Sequence, residues 1–89
     1  MQIELVPDIT HCVETMARKE YQNLARSYLQ EGKDDAGFQE KIELLRSFLE
    51  TADFRKLRRE SEAYLVKGER VKFTLYREGN ETKCRLTID

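Results

Sequence analysis

Two stretches of strict alternation, separated by a Gly-Asn pair, constrain this chain more than anything else in it. From Glu69 to Arg77, Val71, Phe73 and Leu75 alternate with Lys72, Thr74 and Tyr76; from Lys83 to Ile88, Cys84, Leu86 and Ile88 alternate with Lys83, Arg85 and Thr87. A period of two is that of a strand with one apolar face. If Gly79 and Asn80 form a two-residue turn, with Gly79 supplying the positive φ of a type I′ or II′ loop, Glu78 pairs with Glu81 and the ladder runs outward. Leu75 then faces Cys84, Phe73 faces Leu86, and Val71 faces Ile88. A one-residue slip would set Phe73 against a polar partner and turn one strand over. Turn and pattern specify one register, with a like-charge pair at the turn; a longer loop with the same register fits the pattern too.

A lone hairpin is marginal in water, and the N-terminal stretch offers a third strand. Met1, Ile3 and Leu5 alternate with Gln2 and Glu4, and Pro7 closes the run. Asp8 predicts an N-cap and Gly32 a C′ terminator, so a first helix is expected from about Ile9 to Glu31. Its apolar arc holds Ile9, Val13, Met16, Ala17, Tyr21, Leu24 and Tyr28, and Glu20 falls inside it. The tight Gly32 to Gly37 connection, with Asp34 or Asp35 as the next cap, makes the first two helices an antiparallel hairpin. The second helix, about Ala36 to Thr51, carries Phe38, Ile42, Leu45, Leu49 and Ala52, widened by Leu44 and Phe48. That face is broader than one partner helix needs.

The apolar phase then breaks. Continuing the stripe through Ile42, Leu45 and Leu49 would demand apolar residues where Lys56 and Glu60 stand. Phe54, Leu57, Ser61, Tyr64 and Leu65 instead form a displaced stripe, and an unbroken helix from 36 to 66 would be roughly 46 Å long at 1.5 Å per residue. A break at Thr51 to Asp53 is therefore expected, with Asp53 or Thr51 capping a third helix that Gly68 ends. The fold class that follows is α+β in the order β-α-α-α-β-β, with helices covering one face of a small antiparallel sheet.

With 89 residues, the chain reads as a single compact domain over 1–89. A domain of this size buries only roughly 60 to 65% of its unfolded surface, so self-association is a natural supplement. Cys12 and Cys84 are the only cysteines, and the first residues lack the basic start and apolar run of a secretory signal. Both features point to a cytoplasmic protein with two free thiols, and no apolar run approaches membrane-spanning length. Residues 1–52 carry six Lys/Arg against ten Asp/Glu, net −4, whereas residues 53–89 carry ten against seven, net +3. Opposed halves attract each other, within a subunit or across a homodimer.

Chemistry-bearing residues are sparse. Phosphate loops, nucleophile elbows and dinucleotide turns are absent, so the chain reads as non-catalytic and without a cofactor. His11 and Cys12 are adjacent and point about 100° apart on a helix, with no second His or CxxC to complete a metal set. Cys12 near a helix start would have a lowered pKa, but Asp8 and Glu14 in the same first turn oppose that; Glu20, if buried, would be a raised acid. These two are the only openings for a small thiol or acid-base enzyme. The third helix sets Arg55, Lys56, Arg59 and Lys67 opposite its apolar stripe, and the outer hairpin face adds Lys72, Lys83, Arg85 and the ring of Tyr76. Such a surface could track a phosphate backbone, although no nucleic-acid motif accompanies it and the pI is 5.9. The leading expectation is an interaction module that binds a protein partner or a second copy of itself, with nucleic acid the alternative.

Overall fold

The computed structural model describes residues 2–31 and 36–88, and the alternation of 71–88 is realised in it pair by pair. Strands β2 (Val71–Glu78) and β3 (Glu81–Ile88) are antiparallel, with Leu75 opposite Cys84, Phe73 opposite Leu86, Val71 opposite Ile88 and Glu78 opposite Glu81. Gly79 has φ +63 and no described non-glycine residue has positive φ, so of the two primed turns the structure takes type II′, which needs only the first central residue there. Strand β1 (Gln2–Leu5) joins the other edge of β2, with Ile3 opposite Leu75 and Leu5 opposite Phe73. The sheet order is β1-β2-β3, the chain order β-α-α-α-β-β.

The inner face of this sheet meets three helices, α1 (Val13–Glu31), α2 (Ala36–Thr51) and α3 (Phe54–Leu65). Ile3, Leu5, Val71, Phe73 and Leu75 from the sheet pack with Val13 and Ala17 of α1 and Leu44, Leu45 and Phe48 of α2 in one buried cluster. The broad apolar face of α2 is thus used against both α1 and the sheet. Only the proximal ends of α1 and α2 enter this cluster. Farther out the two helices pack on each other, with Tyr28 stacked on Phe38 at 5.7 Å between ring centroids and Leu29 left 81% exposed. The expected Gly32 terminator and Asp34 or Asp35 cap lie outside the described residues.

The break between α2 and α3 falls where the apolar phase shifts. Phe54, the first residue of α3, turns its ring edge-on to Phe48 at 5.2 Å, which pins the new helix to the old one. The Asp53 carboxylate accepts from the Lys56 amide at 3.2 Å, the N-cap expected from the sequence. Asp53→Ala should cost about 1 kcal/mol, the usual loss when a carboxylate cap is removed, read as a lower denaturation midpoint with unchanged m value. At the other end Gly68 adopts φ +80; its amide donates to Leu65 C=O and that of Glu69 to Tyr64 C=O, a Schellman motif.

The start of α1 corrects the sequence reading. The helix begins at Val13 and not at Ile9, because Asp8 closes a turn of its own. Its Oδ1 accepts from the amides of Thr10 and His11 at 2.9 and 2.7 Å, and its own amide donates to His11 C=O. An aspartate offered nearby amides in a tight turn competes with the helix it would otherwise cap. Ile9, expected in the buried arc, is therefore 79% exposed, and Glu20, whose place on the wheel left burial open, is exposed.

Candidate functional site

Moving the helix start by four residues changes the environment of Cys12. Its carbonyl accepts the first helical hydrogen bond, from Met16, so Cys12 is the residue that caps α1. The thiol lies 3.3 Å from Thr15 Oγ1. That hydroxyl is the largest influence on the thiol and lowers its pKa, followed by the Thr15 amide; burial opposes them, and the Glu14 amide and the charge of Arg58 add lesser effects in the lowering direction. The expected opposition from Asp8 and Glu14 does not prevail. Asp8 is spent on its own turn, and Glu14 is bound to Arg18 at 2.9 Å.

Cys12 sits in the middle of a groove between the α1 start and α3. Two depressions of about 390 and 380 Å³ adjoin along this groove, with Cys12, Arg58 and Glu62 lining both. One end is lined by Phe54, Arg55 and Arg59; the other by Ile9, Leu65 and Val66. The periodicity of α3 explains both ends. Positions 55, 58, 59 and 62 recur at helical spacing along the flank facing α1, while Leu65 and Val66 bring the last turn beside the Asp8 turn. Arg58 is paired with Glu62 at 3.0 Å, whereas Arg55 and Arg59 have no ion-pair partner among the described residues. At the far end Ile9 and Val66 are 79% and 76% exposed. Between them Ser61 is buried, its hydroxyl donating to Arg58 C=O.

The seven cations singled out from the sequence are not brought to one place. Arg55 and Arg59 line the groove, and Lys56 lines a separate depression on the other flank of α3, with Leu57, Glu60, Thr82 and Cys84. Lys67 follows the end of α3 and is exposed. Lys72, Lys83 and Arg85 lie on the outer face of the sheet, away from the helices, where Lys72 meets Glu4 at 3.7 Å, Lys83 meets Glu81 at 3.0 Å and Arg85 stacks over Tyr76 at 5.7 Å. The Glu81 contact also raises the Lys83 pKa. Missed by sequence reasoning were Arg58, Ile9 and Val66 as groove residues. Ile9 and Val66 carried a signal, since both are large aliphatics at helix ends, but only the position of the Asp8 turn makes them neighbours. Among the described residues no group of three or more His, Cys, Asp or Glu is arranged to hold a metal ion, and no helix is long and apolar enough to cross a membrane.

This chain belongs to a protein family whose model matches residues 1–86, nearly the whole of the fold described above. It is also similar to an uncharacterized protein of Archaeoglobus fulgidus, 43% identical over 51 residues that make up 55% of this chain and 60% of that protein. The match thus spans less than two thirds of the relative's own length. No solved structure matches the chain.

Proposed function

We propose that this chain is a non-catalytic, cytoplasmic protein-interaction module whose groove along α3 receives an extended segment of a partner protein. The observation that carries this reading is the polarity of the groove: Arg55 and Arg59 stand unpaired at one end while Ile9 and Val66 stand exposed at the other. A segment with an aliphatic or aromatic anchor followed by Asp or Glu would fill both ends at once. Apolar burial would supply affinity, and the guanidiniums would fix direction by bidentate pairing with carboxylates. The cytoplasmic setting rests on the two free thiols. A nucleic-acid surface is supported less well, because the candidate cations divide between α3 and the opposite face of the sheet, and Lys72 and Lys83 are already paired.

Selection from a random peptide library on the immobilised chain tests the reading. Enriched peptides should combine an apolar anchor with acidic residues, and Arg55→Glu with Arg59→Glu should weaken them by about tenfold or more, the range for losing charged contacts of this kind. Val66→Asp should weaken the same peptides through the anchor. Selection without a consensus, or peptides indifferent to both changes, would sink the proposal. Salt-dependent binding of random oligonucleotides lost on Lys83→Glu and Arg85→Glu would favour the nucleic-acid alternative instead.

A further inference from the structure

The register of the hairpin determines which backbone groups β3 leaves free. Glu78 and Glu81 flank a two-residue turn and so form a hydrogen-bonded pair; such pairs alternate, so Lys83, Arg85 and Thr87 bond to β2 as well. The N–H and C=O groups of Thr82, Cys84, Leu86 and Ile88 therefore point away from β2, along the outer edge of the sheet. Among the described residues no backbone hydrogen bond outside the hairpin reaches any of them. The two edges of this sheet are unequal. Strand β1 has four residues and is followed closely by Pro7, a short edge of the kind that resists pairing. Strand β3 has eight residues, no proline, and an unbroken register with no bulge. Its inward side chains extend the core without being fully covered: Cys84 and Leu86 are half-buried and Ile88 is 37% exposed.

We propose that β3 is the subunit interface of a homodimer, pairing antiparallel with β3 of a second copy across a two-fold axis at Leu86. The argument for a second copy, rather than a foreign strand, is that the sequence of this edge is complementary to itself. About Leu86, Cys84 meets Ile88 of the partner subunit, Leu86 meets Leu86 of the partner subunit, and Arg85 meets Thr87 of the partner subunit. Every inward residue from 84 to 88 meets an apolar one, and no like charges are opposed. Two-fold registers nearer the turn fail on charge: an axis at Arg85 opposes two arginines, and an axis at Cys84 opposes Lys83 to Arg85. The result is a continuous six-stranded sheet with its helices on one side. This surface is independent of the proposed groove, since the residues of α3 beside β3 are Lys56, Leu57 and Glu60, on the flank away from α1.

Amide exchange followed by NMR on the full chain, at millimolar and low micromolar concentration, tests the interface directly. The amides of Lys83, Arg85 and Thr87 should be protected at both concentrations, whereas those of Cys84, Leu86 and Ile88 should gain protection only at the higher one, in step with dimer measured by sedimentation equilibrium. Ile88→Pro deletes one outward amide at the end of the strand, which a folded edge tolerates, and should shift the monomer–dimer equilibrium by at least tenfold towards monomer. The axis is read from Leu86→Cys in a Cys12→Ser, Cys84→Ser background, which should form a disulfide-linked dimer under mild oxidation while its hairpin amides stay protected. A chain that stays monomeric at millimolar concentration, or one that dimerises while the Cys84 and Leu86 amides remain unprotected, overturns the proposal. A dimer that crosslinks through native Cys84 but not through a cysteine at 86 overturns the axis.

Discussion

Cys12 is expected to react with iodoacetamide more than about tenfold faster than Cys84 at pH 8, although both are free thiols of one small chain. The two environments pull in opposite directions. Burial against the helices pushes the Cys84 thiol up to about 11, so roughly one molecule in a thousand carries its thiolate at pH 8. The Thr15 hydroxyl and the first amides of α1 hold Cys12 below its ordinary 9.0, so about a tenth or more is thiolate at the same pH. Of this roughly hundredfold advantage, the weaker nucleophilicity of a lower-pKa thiolate returns about tenfold, and the partial burial of Cys84 restores some of it. Thiol-specific mass spectrometry with time separates the two sites. Thr15→Val should slow Cys12 and leave Cys84 unchanged; equal rates at both sites in the unmodified chain would contradict the placement of Cys12 at the helix cap.

The second large effect is on stability. Phe73→Ala should cost about 3–5 kcal/mol, the range for truncating a fully buried phenylalanine, against a total of roughly 5–15 kcal/mol for a small domain. Phe73 is completely buried in the central strand, between Leu5 and Leu86 on its neighbours. Its removal leaves a cavity where sheet and helices meet, and neither neighbouring strand can shift inward without losing register. Tyr76, three residues on and on the other face, makes the control. Tyr76→Ala gives up partial burial and one contact with Arg85, so its cost should be about 1 kcal/mol or less. Urea denaturation of both variants checks the difference, and similar losses would mean that the two faces are not as unequal as the packing requires.

The hairpin register, the α2 boundaries, the break at Thr51 to Asp53 and the Asp53 cap were all legible in the sequence, and for a common reason. Each depends on residues close in the chain: a period of two across a two-residue turn, a stripe that shifts phase, a carboxylate three residues from the amide it accepts. The α1 start was misread because two local rules competed for Asp8. As a helix cap it satisfies amides of a first turn; as a turn former it takes the amides of Thr10 and His11, and the second arrangement prevails. The groove was illegible for a different reason. Its walls come from residues about fifty positions apart, and which flank of α3 faces α1 depends on how Phe54 packs against Phe48. The cations gave the opposite difficulty. Charge is visible in the sequence, but whether seven side chains share a surface depends on which side of the sheet each element occupies.

The outward reach of α1 and α2 beyond the sheet has a thermodynamic consequence. Near Val13, Ala17, Leu45 and Phe48 each helix is held by the sheet as well as by its neighbour, whereas Tyr28 and Phe38 stand outside the buried cluster and stack on each other. Opening the outer turns therefore sacrifices one aromatic stack and a short seam, while opening the inner turns breaches the whole core. Protection should fall in steps from the sheet towards Tyr28 and Phe38, with these outer helical turns melting as a unit of their own. A ligand or partner that gripped Leu29 and Tyr28 would thus gain its rigidity from binding, whereas one that met the sheet would find it already in place.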